Sequence, residues 1–261
     1  MRREIDGGRA YDWGRISEQY GLYRDLYPDA FYEKLLGLGL CVKGQRVLDL
    51  GTGTGVLPRN MAVYGASFVG ADPSEPQIAV ARKLTEAAGL DIPYAVASAE
   101  TAAFPDAAFD VVTACQCFVY FDKTKALPNI HRMLKPGGRL AVLFFAWLPL
   151  ESEIAGQSEV LVRRYNPDWT GGGMTRYELR EPDWAPPLFK TERRLAFTVD
   201  VPFTRESWHG RMLACRGTGA SLPEDKLEAF SREHRALLER IAPESFRIPH
   251  YASMLILQAI K

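Results

Sequence analysis

Asp49 closes a short apolar run, and three glycines at alternate positions follow it at once: Gly51, Gly53 and Gly55. A second acid, Asp72, closes the next such run. Glycines so spaced let a chain turn sharply and bring its backbone against a ligand, and carboxylates beside them can accept hydrogen bonds from hydroxyl groups. The spacing narrows the ligand. A dinucleotide fingerprint wants its last glycine where Val56 stands, and a phosphate loop would end in Gly-Lys-Ser/Thr, which is absent. Asp49 and Asp72 also have plainer readings as helix caps. Among the four cysteines, only Cys115 and Cys117 are close. A CxC pair without a second pair or a nearby histidine is poor metal spacing, so no metal is expected. Two such residues on a strand share a face, which suits packing or pocket lining.

The elements that must position these residues are legible from residue 46 onward. Strands are expected at 46–50, 67–71, 93–97, 110–114 and 139–146, and helices at 55–64, 75–88 and 123–134, the last stopped by Lys135-Pro136-Gly137-Gly138. Strands alternating with helices of this length imply right-handed crossovers and a parallel sheet, an α/β fold. Before this, residues 10–36 carry aromatics at loosely helical spacing, broken by Pro28, and predict one or two short helices. After Trp147 the rhythm is lost. A helix is expected at 151–165, and a Gly-, Pro- and Trp-rich loop or lid at 166–187. A sixth strand follows at 192–201, helices near 204–216 and 223–241, and a last strand over 246–260.

Composition excludes several classes. In 261 residues, 32 Lys+Arg balance 32 Asp+Glu, so nucleic acid is a disfavoured partner. The longest apolar run, 140–150, is too short to span a bilayer, and the polar start lacks an apolar signal core. The expectation is a soluble, cytoplasmic protein that does not bind membranes. Nothing in the sequence sets an oligomeric state.

The stretch Asp49-Leu50-Gly51-Thr52-Gly53-Thr54-Gly55 resembles the first motif of class I S-adenosylmethionine-dependent methyltransferases, and three further segments agree in order and spacing. Val69-Gly70-Ala71-Asp72-Pro73-Ser74 resembles the family's second-strand motif. The segment 97–110, with Ser98, Ala99 and Glu100, resembles the stretch after the third strand in small-molecule, type 11-like members. Leu134-Lys135-Pro136-Gly137-Gly138 is similar to the turn before the fifth strand. The resemblance covers residues 46–146. It departs from the family at Ser98, where an aspartate usually meets the adenine amino group.

The resemblance implies a Rossmann-like, seven-stranded, mostly parallel sheet with helices on both faces, the last strand antiparallel, and a helical lid. It implies one domain, with an N-terminal helical cover over 1–40, a cofactor-binding core over 41–147, lid helices and the sixth strand over 148–245, and the last strand over 246–261. S-adenosyl-L-methionine is the implied cofactor, with S-adenosyl-L-homocysteine as product. Its implied binding residues are Tyr20, Asp49, Gly51, Thr52, Gly53, Asp72, Pro73, Gln77, Ser98, Ala99, Glu100 and Cys115, with Asp72 on the ribose diol. Tyr20 belongs to Tyr20-Gly-Leu-Tyr23-Arg24-Asp-Leu-Tyr27-Pro28, similar to a segment before the first motif, and could equally be core packing.

A small-molecule acceptor is expected, because the turn that amine-methylating DNA enzymes carry after strand four reads Cys115-Gln-Cys-Phe-Val-Tyr here. Gln116, Tyr120, Trp147 and Tyr251 are the expected pocket residues. His250 is the candidate general base, since its ordinary pKa lies near neutrality, with a packed structural histidine as the other reading. Trp208 and Arg211 read as a substrate cap or a solvated helix face. Two other functions stay open: a non-catalytic S-adenosylmethionine-binding protein, and a nicotinamide-dependent oxidoreductase with a degenerate loop.

Overall fold

The computed structural model describes residues 5–24, 27–180 and 182–261. Asp25 and Leu26, inside the tyrosine- and arginine-bearing segment above, lie outside the described residues. The chain divides into two compact units. One comprises the described residues among 1–25, 146–177 and 198–251, and the other those among 26–145, 178–197 and 252–261.

The described residues form a sheet of seven strands: β1 Arg46–Leu50, β2 Ser67–Asp72, β3 Tyr94–Val96, β4 Phe109–Cys115, β5 Leu134–Trp147, β6 Phe189–Thr204 and β7 Ser245–Ala259. Their order is β3-β2-β1-β4-β5-β7-β6. β1 to β5 pair in parallel, and β7 runs antiparallel. Residues 146–147, 198–204 and 245–251 of the last three strands fall in the first unit. Val47, Leu48 and Leu50 of β1 and Val111, Val112 and Ala114 of β4 are fully buried, the near-continuous apolar pattern of strands covered on both faces. The core built on them includes Phe109, Ile130, Met133, Leu140 and Phe189. The helices of the second unit are α2 Asp29–Gly37, α3 Val56–Met61, α4 Glu75–Ala87 and α5 Lys123–Met133; α1, Ser17–Tyr23, belongs to the first unit.

Several boundaries differ from expectation. The helix expected over 55–64 ends at Met61 and tightens into a 3₁₀ turn, Ala62–Tyr64, closed by Gly65 at φ 86°. The fifth strand begins at Leu134 rather than residue 139, because Leu134 already pairs with Phe109. From there to the next pair, Val111 with Arg139, β4 advances two residues while β5 advances five. The surplus Lys135–Gly138 segment bulges out, with Gly137 at φ 73° and Lys135 Nζ 2.8 Å from Asp110. The sixth strand is longer than 192–201, since buried Phe189 anchors its start.

The first unit packs α6 Glu153–Tyr165, α7 Arg205–Leu213 and α8 Glu224–Ile241 around Trp147, Trp208, Met212, Phe230 and Leu238. The described residues of 166–187 form neither helix nor strand, as their composition predicts. Among the described residues no helix is long and apolar enough to cross a membrane, and no His/Cys/Asp/Glu group could hold a metal.

Candidate functional site

The parallel register brings four loops to one edge of the second unit. Leu50 pairs with Ala71, Asp72 with Val96, Asp49 with Thr113, and Cys115 with Leu143. The chain therefore leaves β1, β2, β3 and β4 at their carboxyl ends side by side, where ligands of open α/β sheets sit. The first of these loops has Gly51, Gly53 and Gly55 at φ 66°, 56° and 77°. At Gly51 size matters as well as conformation: a Cβ there would lie 2.6 Å from both Cβ and Sγ of Cys117.

The two acids have different tasks. Asp72 is half-buried at the end of β2. Its Oδ2 accepts from the Gly53 backbone N–H at 2.9 Å, and its Oδ1 accepts from the Ser74 N–H at 2.9 Å. It thus ties the glycine loop to the head of α4, while burial raises its pKa. Asp49 is 2% exposed and accepts from the Thr113 hydroxyl at 2.6 Å. Burial pushes its pKa up to about 6 against the pull of the Thr113 and Thr52 hydroxyls, and the nearby Asp72 charge adds to the rise. Sequence reasoning missed Thr113.

The other expected cofactor residues gather at the same edge. Thr52 is buried in the glycine loop, Pro73 is exposed after β2, and Gln77 is buried on α4. Ser98 hydrogen-bonds the Thr101 hydroxyl at 3.1 Å, and its carbonyl accepts from Ala102 N–H at 2.9 Å. The Ala99 carbonyl accepts from Asn129 at 3.0 Å. Glu100 accepts from the Asp122 backbone N–H at 2.7 Å, which braces the turn into α5. Cys115 donates to the Tyr27 hydroxyl at 3.4 Å, and Tyr27 stacks on Phe31 with centroids 4.7 Å apart. Gln116 sits at φ 66°, its amide bonded to the Phe145 carbonyl, and Tyr120 ends a 3₁₀ turn begun at Phe118. Tyr94, also unanticipated, fills the space a side chain at Gly55 or Gly70 would need.

Tyr20, Trp147, His250 and Tyr251 belong instead to the first unit. Tyr20 lies under the Arg24 guanidinium at 4.3 Å and meets Trp13 edge-on. Trp147 donates to Glu159 at 2.7 Å, with the Arg211 guanidinium 4.8 Å from its ring. The Tyr251 hydroxyl donates to the Tyr177 carbonyl at 2.6 Å. His250 is 2% exposed, 2.9 Å from the Ile248 carbonyl through Nδ1, and stacked on Phe203; burial lowers its pKa to about 4. Trp208 forms part of neither a cap nor a solvated face: it is wholly buried and donates to Ser158 at 3.0 Å.

Residues 48–142 match the family described as methyltransferase domain. This segment is similar to class I S-adenosylmethionine-dependent methyltransferase domains. The chain is 47% identical over 104 residues to the demethylmenaquinone methyltransferase of Thermus thermophilus, a match covering 39% of this chain and 47% of the relative. It is 41% identical over 109 residues to the ubiquinone/menaquinone biosynthesis C-methyltransferase UbiE of Vibrio vulnificus, covering 40% and 42%. The chain thus spans about half the length of the curated relatives it matches. In fold, it resembles YcgJ of Bacillus subtilis, with a TM-score of 0.53, 21% identity and coverage of 90% and 99%. It also resembles a candidate methyltransferase of Bacillus halodurans, with a TM-score of 0.54, 19% identity and coverage of 88% and 98%.

Proposed function

We propose that this chain transfers a methyl group from S-adenosyl-L-methionine to a small-molecule acceptor by in-line displacement, leaving S-adenosyl-L-homocysteine. The observation that carries the reading is Asp72: a half-buried carboxylate at the end of β2, held by two backbone N–H groups, one of them from the glycine loop. Each oxygen spends one acceptor site on the protein and keeps others, which suits the vicinal hydroxyls of a ribose. The residues at this edge therefore fit the nucleoside part of that cofactor. Gly51 and Gly53 bring backbone within reach of it, and Asp49, buried behind them with Thr52 and Thr113, fixes the loop's shape. Ser98 and Ala99 follow β3, where Ser98 offers a hydroxyl to the adenine amino group; Gln77, Pro73, Glu100 and Cys115 complete the proposed set.

When bound, the cofactor supplies a methyl that is already strongly electrophilic. The protein's part is then alignment and exclusion of water, and no side chain must perform covalent chemistry. Gln116 and Tyr120 leave the same edge as the cofactor loops and are proposed to face the acceptor. We read His250 as a packed core residue, in keeping with its burial and its Ile248 and Phe203 partners.

The relatives' names place them in menaquinone and ubiquinone biosynthesis, which supports a small-molecule acceptor. Segments 148–245, expected to select it, lie beyond the matched residues, so the acceptor's identity does not carry over. Turnover of methyl-labelled cofactor against a panel of phenols, quinols, amines and thiols tests the reading. Label appearing in one acceptor class is the expected result. Cofactor binding without transfer to any acceptor would favour a binding protein instead.

A further inference from the structure

The turn that leaves β4, Cys115-Gln116-Cys117, is built more tightly than its sequence suggests. Gln116 adopts φ 66°, a left-handed conformation uncommon outside glycine, asparagine and aspartate. It is held there from two sides: its N–H donates to the Leu143 carbonyl at 2.9 Å, and its side-chain amide donates to the Phe145 carbonyl. Cys115 donates to the Tyr27 hydroxyl at 3.4 Å. Cys117 then turns onto the glycine loop. Its thiol donates to the Leu50 carbonyl at 3.0 Å, and its Cβ and Sγ occupy the space that a Cβ on Gly51 would enter, both at 2.6 Å. Phe121 stands behind it, 4.0 Å from the same point.

The loop is thereby braced from both sides. Asp72 holds Gly53 from β2, and Cys117 holds Leu50 and covers Gly51 from β4. A carbonyl with a fixed donor and a Cα with a fixed contact leave the start of the loop no room to move toward β4. Gln116 explains how the brace stays in place: its strained backbone is anchored on β5, so the turn cannot relax away from the glycines.

From this geometry we propose that the Gln116–Cys117 turn positions the cofactor loop, with Cys117 as a positioning residue that sets where the Gly51 backbone meets the methyl donor. The assignment rests on the proposed cofactor. Cys117 itself need not touch that cofactor. Burial raises its pKa well above the ordinary thiol value, so at neutral pH it remains an S–H donor.

Calorimetric titration of S-adenosyl-L-methionine into the full chain tests this, with the melting temperature of each free variant recorded alongside. Cys117→Ser keeps a donor of similar reach and is expected to bind within about threefold of the natural chain. Cys117→Ala leaves the Leu50 carbonyl without its donor and is expected to bind about tenfold more weakly. Gly51→Ala is expected to be far more damaging in the natural background than beside Cys117→Gly, where the colliding atoms are gone, so the two effects are not additive. A purely structural role predicts losses that track melting temperature and no rescue by serine. Equal affinity for the serine and alanine variants, or strictly additive effects at 51 and 117, would overturn the assignment while leaving the methyl-donor reading intact. Absence of binding by the natural chain would overturn both.

Discussion

At the scale of residues, the account turns on two carboxylates that look alike in sequence and differ in what surrounds them. Asp72 is half-buried and oriented by backbone, whereas Asp49 is enclosed and answered by hydroxyls. Asp72→Ala should weaken S-adenosyl-L-methionine binding by about 1–3 kcal/mol, the cost of leaving hydroxyls unpaired, as read by calorimetry. Unchanged affinity would remove the ribose assignment. Thr113→Val should destabilise the fold by about 1–3 kcal/mol at pH 7–8, because it strips a donor from a buried charge. Since the pKa of Asp49 is raised to about 6, the folded state holds its proton more tightly than the unfolded chain does. The penalty of the substitution should therefore shrink as pH falls below 6, which urea titrations at pH 5 and 8 would show. The glycine loop and both acids were legible in the sequence because they are local and ordered. Thr113 and Cys117 were not, since each acts on a residue about 65 positions away.

At the scale of elements, apolar runs and helix stops located the seven strands of the described residues and their longer helices, because burial on both faces and capping leave marks within a few residues. The bulge in β5 left none that could be separated from an ordinary turn: Lys-Pro-Gly-Gly reads the same whether the strand begins before it or after it. The histidines of α7 and α8 were equally opaque. His209 on α7 and His234 on α8 face each other through their Nδ1 atoms at 2.9 Å, between Ser231 at 3.0 Å and Ser158 of α6 at 2.9 Å. The Ser158 hydroxyl donates to the Ile154 carbonyl at 2.7 Å, so toward His234 it can only accept. The donors then run one way, from Ser231 through His209 and His234 to Ser158, with both rings neutral. Burial lowers the pKa of His209 to about 4 and that of His234 to about 3. Both lie below the unfolded value near 6.5, so the unfolded chain binds protons first. Stability contributed by this pair is present above about pH 6.5 and is lost as pH falls toward 4, at about 1.4 kcal/mol per pH unit for each histidine. Urea unfolding at pH 7.5 and 5 should show that loss, and a variant with His209→Gln and His234→Gln should show a flatter pH dependence. The same pH dependence in the natural chain and the double variant would contradict the arrangement.

At the scale of the molecule, the two units differ in how far relatives illuminate them. Residues 48–142 lie wholly in the second unit, so the edge that carries the glycine loop is where family likeness is concentrated. The first unit is assembled from three separated stretches and held by contacts that no local pattern announces. Asp6, 1% exposed, accepts from Thr170 N–H at 2.7 Å and pairs with Arg216 at 2.7 Å, across 210 positions of sequence. Arg9 and Asp168 add an exposed pair beside it. Asp6→Ala should cost about 3–5 kcal/mol, because it leaves the Arg216 guanidinium buried without its carboxylate; Arg9→Ala should cost under about 1 kcal/mol. Equal effects of the two substitutions on unfolding by urea would refute the distinction.

The central claim, that the glycine loop and Asp72 together hold a methyl donor, is tested most directly by titrating S-adenosyl-L-methionine and reduced nicotinamide dinucleotide separately into the natural chain and into Asp72→Ala. The account predicts saturable heat for the methyl donor alone, with affinity lowered about 5–150-fold by the substitution, the equivalent of about 1–3 kcal/mol. Binding of the nicotinamide instead, or methyl-donor affinity indifferent to Asp72, would contradict it.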